Sequence, residues 1–375
     1  MQRWSKLLGL LVVALATTAC GKKENRFHNI EIKEPATIKV ERFDQAVWAL
    51  NECITQPAKV GNYDLMLVDI PDDDSVCLKK RIEELETQYG ESFNLYLHQL
   101  GVNSGAIREN PTTLFYLFLT HPAYRELYEN CQEKYPDMND IEQQFSDAFS
   151  RATLLLKDFK TPEVYAFFSG FAEYIAADNE RLYLSLEYFL GADFKNYQYV
   201  PGIYNYMIPN LRKEKLVPDA VYAWVCSEYP IEKETPTLLD QMLYCGKMMY
   251  IMESIFPNVD EKVLMGYNDE EWEWCEMNEK NMWRYMQEYN QLFSTNSKMI
   301  SDYVNPANCT KYFSDENFQA PSRTGVWIGW QIIRCLMAEK DEITLPDLLS
   351  VEDSQHLLEQ SRYRPKIGFR FQERY

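Results

Sequence analysis

The chain has 375 residues, of which 46% are hydrophobic, and its formal net charge at pH 7 is −19. This length and hydrophobic content suffice for one large domain or two small ones, and the composition excludes disordered, collagen-like and low-complexity chains. The excess of 57 acidic over 38 basic residues argues against a general nucleic-acid binder, which needs positive charge to displace counterions from phosphates.

Residues 1–19 have the pattern of a bacterial lipoprotein signal peptide. Arg3 and Lys6 supply positive charge, residues 7–16 are apolar, and small residues lead directly to Cys20. The pattern predicts cleavage before Cys20 and acylation of its thiol, which would hold the mature chain on a membrane. A plain secretory peptide with an incidental cysteine is the alternative.

Residues 20–35 are polar and mixed in charge, which is typical of a tether between a lipid and a folded body. No later segment has the composition of a linker, and none is long and apolar enough to cross a bilayer. We therefore expect a lipidated tether at 20–35 and a single domain at 36–375.

In chain order, the first predicted elements of this domain are strands at 36–43 and 65–69. Asn110 before Pro111 is typical of a helix start. Apolar residues at helical spacing then predict an amphipathic helix between Ile141 and Leu155.

The next region gives conflicting signals. Thr161 before Pro162 favours a helix, whereas residues 164–171, 173–177 and 181–189 are rich in β-branched and aromatic residues. In the last of these segments apolar and polar residues also alternate, as in a half-buried strand. We predict strands here, with a turn at Asp178-Asn179 joining the last two.

The C-terminal part is predicted to be helical. Thr235-Pro236 is a further helix start, and residues 238–255 are apolar on nearly every side, as in a central buried helix. Helical spacing recurs at 282–293 and 326–337. The acidic run at 269–279 indicates the solvated start of a helix, where the dipole favours acids, or alternatively a face that binds a cation or a partner. The predicted fold is α+β, predominantly helical, with a small sheet.

The cysteines indicate one disulfide. Cys53 and Cys77 flank a polar, turn-rich segment, and export would place them in an oxidising compartment. Cys226, Cys245 and Cys335 lie in apolar helical segments and are interpreted as core residues. There is no CxxC pair, so the sequence indicates neither a thiol redox motif nor a zinc knuckle.

Lys247 and Arg323 are charges within otherwise apolar segments, and buried charges need partners. Asp240 lies two helical turns before Lys247, so an ion pair between them is the first interpretation. Replacing Lys247 would then destabilise the domain. The alternative is a cleft for a peptide or glycan end, with Trp327 or Trp330 as a stacking wall.

Several segments resemble the GldB family of gliding-motility lipoproteins. They include the YCGK motif within 237–257 and the RTGVWIGWQ motif within 321–337, and the others are residues 42–48, 186–197 and 266–289. The resemblance implies an envelope lipoprotein on the periplasmic or cell-surface face of the outer membrane. It also implies a body similar to zincin-type metallopeptidases, without a known reaction.

The histidines do not support peptidase chemistry. A zincin needs two His one helical turn apart and an adjacent Glu, and none of the four His has a second His at that spacing: His28, His98, His121 and His356. We predict no metal, no cofactor and no enzymatic activity. The expected function is a non-catalytic component or accessory of a gliding-motility or secretion-type apparatus, with envelope proteins as partners. The alternatives are a glycan- or peptide-binding lipoprotein and an unconventional hydrolase.

Overall fold

The computed structural model describes residues 24–57, 69–100, 110–306 and 320–365. Within these ranges helices surround a small mixed sheet, which confirms the predominantly helical α+β class. The signal peptide, Cys20 and residues 65–68 of a predicted strand lie outside the described residues.

The strands are β1 (Val40–Glu41), β2 (Glu163–Phe167), β3 (Ile175–Ala177) and β4 (Arg181–Ser185). The helices before the β2–β4 region are α1 (Phe43–Trp48), α2 (Asp72–Tyr89), α3 (Glu91–Gln99), α4 (Pro111–Thr120), α5 (Pro122–Lys134) and α6 (Asn139–Leu155). Those after it are α7 (Lys213–Glu228), α8 (Leu238–Ile255), α9 (Glu261–Met265), α10 (Asp269–Glu288), α11 (Ser297–Val304), α12 (Thr324–Glu339), α13 (Leu345–Ser350) and α14 (Ser354–Ser361). Short 3₁₀ turns lie at Ala49–Cys53, Leu186–Phe189, Lys195–Tyr199 and Ile208–Asn210.

The sheet has the strand order β1-β2-β4-β3. The β1–β2 and β2–β4 pairs are parallel, and β3 pairs antiparallel with β4. The predicted turn joins β3 to β4, where the Asp178 side chain accepts the backbone N–H groups of Glu180 and Arg181 at 2.8 and 2.7 Å. The strand prediction is therefore confirmed over the competing helix signal, although β2 ends at Phe167, short of the predicted residue 171. Residues 186–189 likewise form a 3₁₀ turn instead of extending β4.

The predicted strand at 36–43 is shorter than expected because side chains of α6 accept hydrogen bonds from its backbone N–H groups. Ala36 and Ile38 donate their N–H groups to the hydroxyls of Ser150 and Ser146, at 2.7 and 3.1 Å. The segment therefore lies along a helix, and only Val40–Glu41 pairs with the sheet.

Most predicted helix starts are confirmed. The Asn110 side chain accepts the Thr113 N–H at the start of α4, and the acidic run begins α10, which Asn268 caps. The start of α8 differs by two residues, because Thr237, and not Thr235, supplies the capping hydroxyl.

Helices α8 and α12 form the centre of the body. They cross so closely that a Cβ added to Gly246 would lie 2.4 Å from the carbonyl of Gly329, and one added to Gly329 would lie 1.9 Å from the carbonyl of Met242. Both motifs that carry the family resemblance lie in this crossing. Their glycines therefore serve packing, since no larger side chain fits between the two backbones.

The predicted disulfide is confirmed. Cys53 and Cys77 are bonded, with their Cα atoms 5.5 Å apart, and join the turn at Ala49–Cys53 to α2. Cys226, Cys245 and Cys335 lie partly or fully buried in the helical core, as predicted.

The tether prediction is wrong for residues 25–28, which pack on the body. Asn25 is 4% exposed and donates to the Ser254 hydroxyl at 3.0 Å. The polar side chains of Arg26 and His28 contact carbonyls at helix ends, and composition does not distinguish that role from solvation.

Candidate functional site

Asp240 is a helix-capping residue and not the partner of Lys247. One of its oxygens accepts the backbone N–H and the hydroxyl of Thr237, both at 2.7 Å, and the ammonium of Lys233 at 2.7 Å. Burial acts to raise the pKa of Asp240, but Lys233 and Thr237 lower it below its ordinary value. The predicted ion pair with Lys247 is therefore wrong.

Lys247 is 8% exposed, and its ammonium donates to the backbone carbonyl of Val351 at 2.5 Å. Among the residues that the structure describes, the carboxylate that acts on its charge is that of Glu352, which is exposed. Burial lowers the pKa of Lys247 to about 8, against this attraction. Lys247 thus links α8 to the segment before α14 through a hydrogen bond to the Val351 carbonyl.

Arg323 is only half-buried and binds backbone as well. Its guanidinium donates to the Met265 carbonyl at 2.6 Å and lies 3.9 Å from the sulfur of Met249. The residue has a φ of 58° at the start of α12. Arg323 therefore connects α12 to the end of α9.

Trp327 and Trp330 cannot form the predicted stacking wall, because they are 2% and 0% exposed. The Trp327 ring meets that of Trp272 edge to face, with centroids 4.6 Å apart. The Trp330 indole N–H donates to Glu253 at 2.8 Å. The structure thus does not bring the predicted residues together as a cleft.

A different group of charged side chains lies at the C-terminal end of α8. Glu253 is 6% exposed and also accepts from the Arg334 Nε at 2.9 Å, while Arg334 Nη2 lies 2.9 Å from Glu261. The guanidinium of Arg334 lies over the ring of Trp330 at 3.9 Å. Burial acts to lower the pKa of Arg334, but Glu253 and Glu261 raise it above its ordinary value.

This group borders a pocket of about 300 Å³ between α8, α9 and α10. The polar and aromatic residues that line it are His28, Glu253, Phe256, Asp260, Glu261, Lys262 and Trp272. Both bonds of the Glu253 carboxylate use its Oε2 atom, and Lys262 is paired with Asp269 at 2.5 Å. The lining is thus acidic with an aromatic wall, which suits a cationic group.

The sequence contains a pattern that could have identified Glu253 and Arg334. Glu253 lies in the same apolar helix as Lys247, and Arg334 lies in the apolar α12. Both are charges among apolar residues, the same criterion that selected Lys247 and Arg323. Their pairing across the two helices could not be read from spacing along the chain.

Glu187 is a second buried acid that the sequence analysis missed. It follows β4, is 0% exposed, and accepts the N–H and hydroxyl of Ser169 at 2.8 and 2.7 Å and the N–H of Phe171 at 3.0 Å. Burial raises the pKa of its carboxyl above the ordinary value, although these hydrogen bonds act to lower it. Its bonds hold the loop after β2, and its burial leaves it out of reach of a ligand.

The histidines lie on separate elements. Within the described ranges, no three His, Cys, Asp or Glu side chains are grouped so that they could hold a metal ion. The same part of the chain contains no helix long and apolar enough to cross a membrane.

Comparison with known proteins identifies a family for this chain. The family model described as gliding motility protein GldB matches residues 51–365. No curated protein and no solved structure matches the chain. The resemblance to zincin-type metallopeptidases therefore has no support from these comparisons.

Proposed function

Because the chain belongs to the GldB gliding-motility family, we propose that it is a non-catalytic lipoprotein of the cell envelope. It serves as a component or accessory of a gliding-motility or secretion-type apparatus, held on the periplasmic or cell-surface face of the outer membrane. The family match carries this proposal, and the lipoprotein pattern ending at Cys20 supports it. The Cys53–Cys77 disulfide fits an oxidising compartment outside the cytosol.

Replacing Cys20 with serine tests the anchor. The variant is expected to leave the membrane fraction, because the acyl chains supply the apolar hold and the acidic body is repelled by anionic lipids. Membrane fractionation, with mass spectrometry of the N-terminal peptide, measures this. Cys226→Ser is the matched control and should stay in the membrane fraction.

The same pair of proteins tests the partner proposal. Purification from detergent-solubilised native membranes should recover the same envelope proteins with the wild-type chain and with Cys226→Ser, and fewer with Cys20→Ser. Retention of Cys20→Ser on membranes in high salt would contradict the anchor. Absence of any specific envelope protein from the wild-type sample would contradict the role in an apparatus.

The acidic pocket favours the second candidate function, a binding lipoprotein, in its peptide form. A lysine or arginine side chain supplies the cation that its carboxylates attract, whereas a neutral glycan does not. Asp260 is exposed and caps α9, so Asp260→Asn removes charge while keeping the cap. The variant is expected to weaken binding of a lysine tripeptide by about two- to fivefold, since one partly exposed charge contributes under about 1 kcal/mol.

Isothermal titration measures this affinity. Asp353→Asn is the matched control, because Asp353 caps α14 in the same way and does not line the pocket. Equal affinities of the two variants, or no saturable binding by the wild-type protein, would reject the peptide-binding candidate.

A further inference from the structure

The residues that follow the proposed lipid site are bonded to the end of α8. Asn25 donates to the hydroxyl of Ser254, and the His28 Nε2 lies 3.2 Å from the Glu253 carbonyl oxygen. Phe27 packs edge to face on Tyr250, with ring centroids 6.4 Å apart. Apolar and polar side chains of this segment thus all contact the same helix.

Arg26 connects the segment to the end of α12. Its guanidinium donates to the carbonyls of Met337 at 2.6 Å and Lys340 at 3.4 Å, and also to that of Ile343. The last carbonyls of a helix lack partners within the helix and carry partial negative charge. A cation at this position is therefore favourable.

Arg151, which lies on α6, bonds both to residues 25–28 and to the end of α8. It is buried, and its Nη2 donates to the carbonyls of Phe27 at 2.5 Å, His28 at 3.3 Å and Ser254 at 2.9 Å. Removing the segment would leave part of this buried guanidinium without acceptors, which is costly. Docking is therefore part of the folded state.

The chain between the lipid site and this docked segment is short. Four residues lie between Cys20 and Asn25, so that the two Cα atoms, five steps along the chain, lie at most about 18 Å apart. A folded body of about 340 residues has a radius of gyration of about 20 Å and is roughly 50 Å across. Only the face of the body near Asn25 can therefore lie next to the bilayer.

We propose that the docked segment fixes the orientation of the body on the membrane. The docking face consists of residues 25–28, the C-terminal ends of α8 and α12, and residues 340–343, and its partner is the lipid surface. This inference rests on the proposed anchor at Cys20. Because His28 also lines the acidic pocket, the pocket lies beside the docking face, and a ligand reaches it close to the membrane.

Energy transfer in vesicles tests the orientation. A donor dye is attached through an unnatural amino acid at Glu339, which is exposed at the end of α12, or at Glu83, which is exposed on α2. Helix α2 packs mainly on α3, α4 and the Ala49–Cys53 turn, in another part of the body. With headgroup-labelled lipid as acceptor, transfer from Glu339 should be at least about twice that from Glu83, given a body about 50 Å across.

The double variant Arg26→Ala/Phe27→Ala should bring the ratio of the two transfers close to one. Release of the segment lengthens the free chain to Ala36, the next residue bonded to α6, which allows up to about 58 Å. Lys33→Ala is the matched control, since Lys33 is exposed in the same segment, and it should keep the wild-type ratio. Circular dichroism checks that each variant is folded.

Two results would overturn the orientation: equal transfer from both sites in the lipidated wild-type protein, or an unchanged ratio in the double variant. Failure of the anchor itself looks different. A wild-type chain without lipid would show no transfer from either site and would remain in solution.

Discussion

Gly329→Ala is expected to destabilise the protein by at least about 3 kcal/mol, at the upper end of overpacking effects in close-packed cores. The added Cβ would lie 1.9 Å from the Met242 carbonyl oxygen and 2.6 Å from its carbon. Backbone of a central helix cannot move aside as a flexible side chain can. The two helices must separate, or the body does not fold.

The sign of this effect is diagnostic. In a helix without such a contact, replacing glycine with alanine stabilises by roughly 1 kcal/mol, because alanine has the higher helix propensity. Urea unfolding followed by circular dichroism gives the free energy of unfolding. Gly202→Ala is the control, since no atom lies within 4 Å of its added Cβ and only backbone strain of about 1–2 kcal/mol is expected. A Gly329→Ala protein as stable as the wild type would contradict the α8–α12 contact.

Lys247→Met is expected to stabilise the protein at pH 7, the opposite of what the predicted ion pair implied. The pKa of Lys247 falls from 10.5 to about 8 in the folded state because of burial. Keeping the ammonium charged there costs about 3 kcal/mol, at 1.36 kcal/mol per pKa unit. The lost bond from the charged ammonium to the Val351 carbonyl is worth about 1.5–3 kcal/mol, so a net gain of about 1 kcal/mol is expected.

The pH dependence has a definite sign. Below about pH 8 the lysine is charged in both states, and the full cost of burial is present. Between pH 8 and 10.5 the folded state has released the proton while the unfolded state still binds it, so the stability of the wild-type protein rises with pH. Lys247→Met lacks this rise.

Urea unfolding of Lys247→Met and of the wild-type protein, at pH 7 and at pH 10, gives the free energies of unfolding that test this. Subtracting the wild-type value from that of the variant at each pH removes the contributions of other titrating groups. The difference in stability between Lys247→Met and the wild type should shift by about 2–3 kcal/mol in favour of the wild type over this range, which reverses its sign. Lys79→Met, at an exposed position on α2, should follow the wild-type protein at both pH values. A constant difference between Lys247→Met and wild type would show that the ammonium is solvated.

The sequence by itself determined the local elements of this protein. Alternation of polarity and the Asp178 turn were sufficient for the β3–β4 hairpin. Helical spacing was sufficient for α6 and α12, and a run apolar on nearly every side was sufficient for α8. The Cys53–Cys77 disulfide also followed from local sequence and compartment. These features depend on residues near one another in the chain, where periodicity and capping rules apply.

Only the tertiary structure decided which groups meet. A charge in an apolar segment indicates that a partner exists but does not identify it. The structure shows that Lys247 binds the Val351 carbonyl and that Glu253 pairs with Arg334. Residues 25–28 look solvated in the sequence, yet they bond to the ends of α8 and α12. The physical reason is that carbonyls at helix ends and close backbone crossings exist only once the helices are packed, and composition carries no record of them.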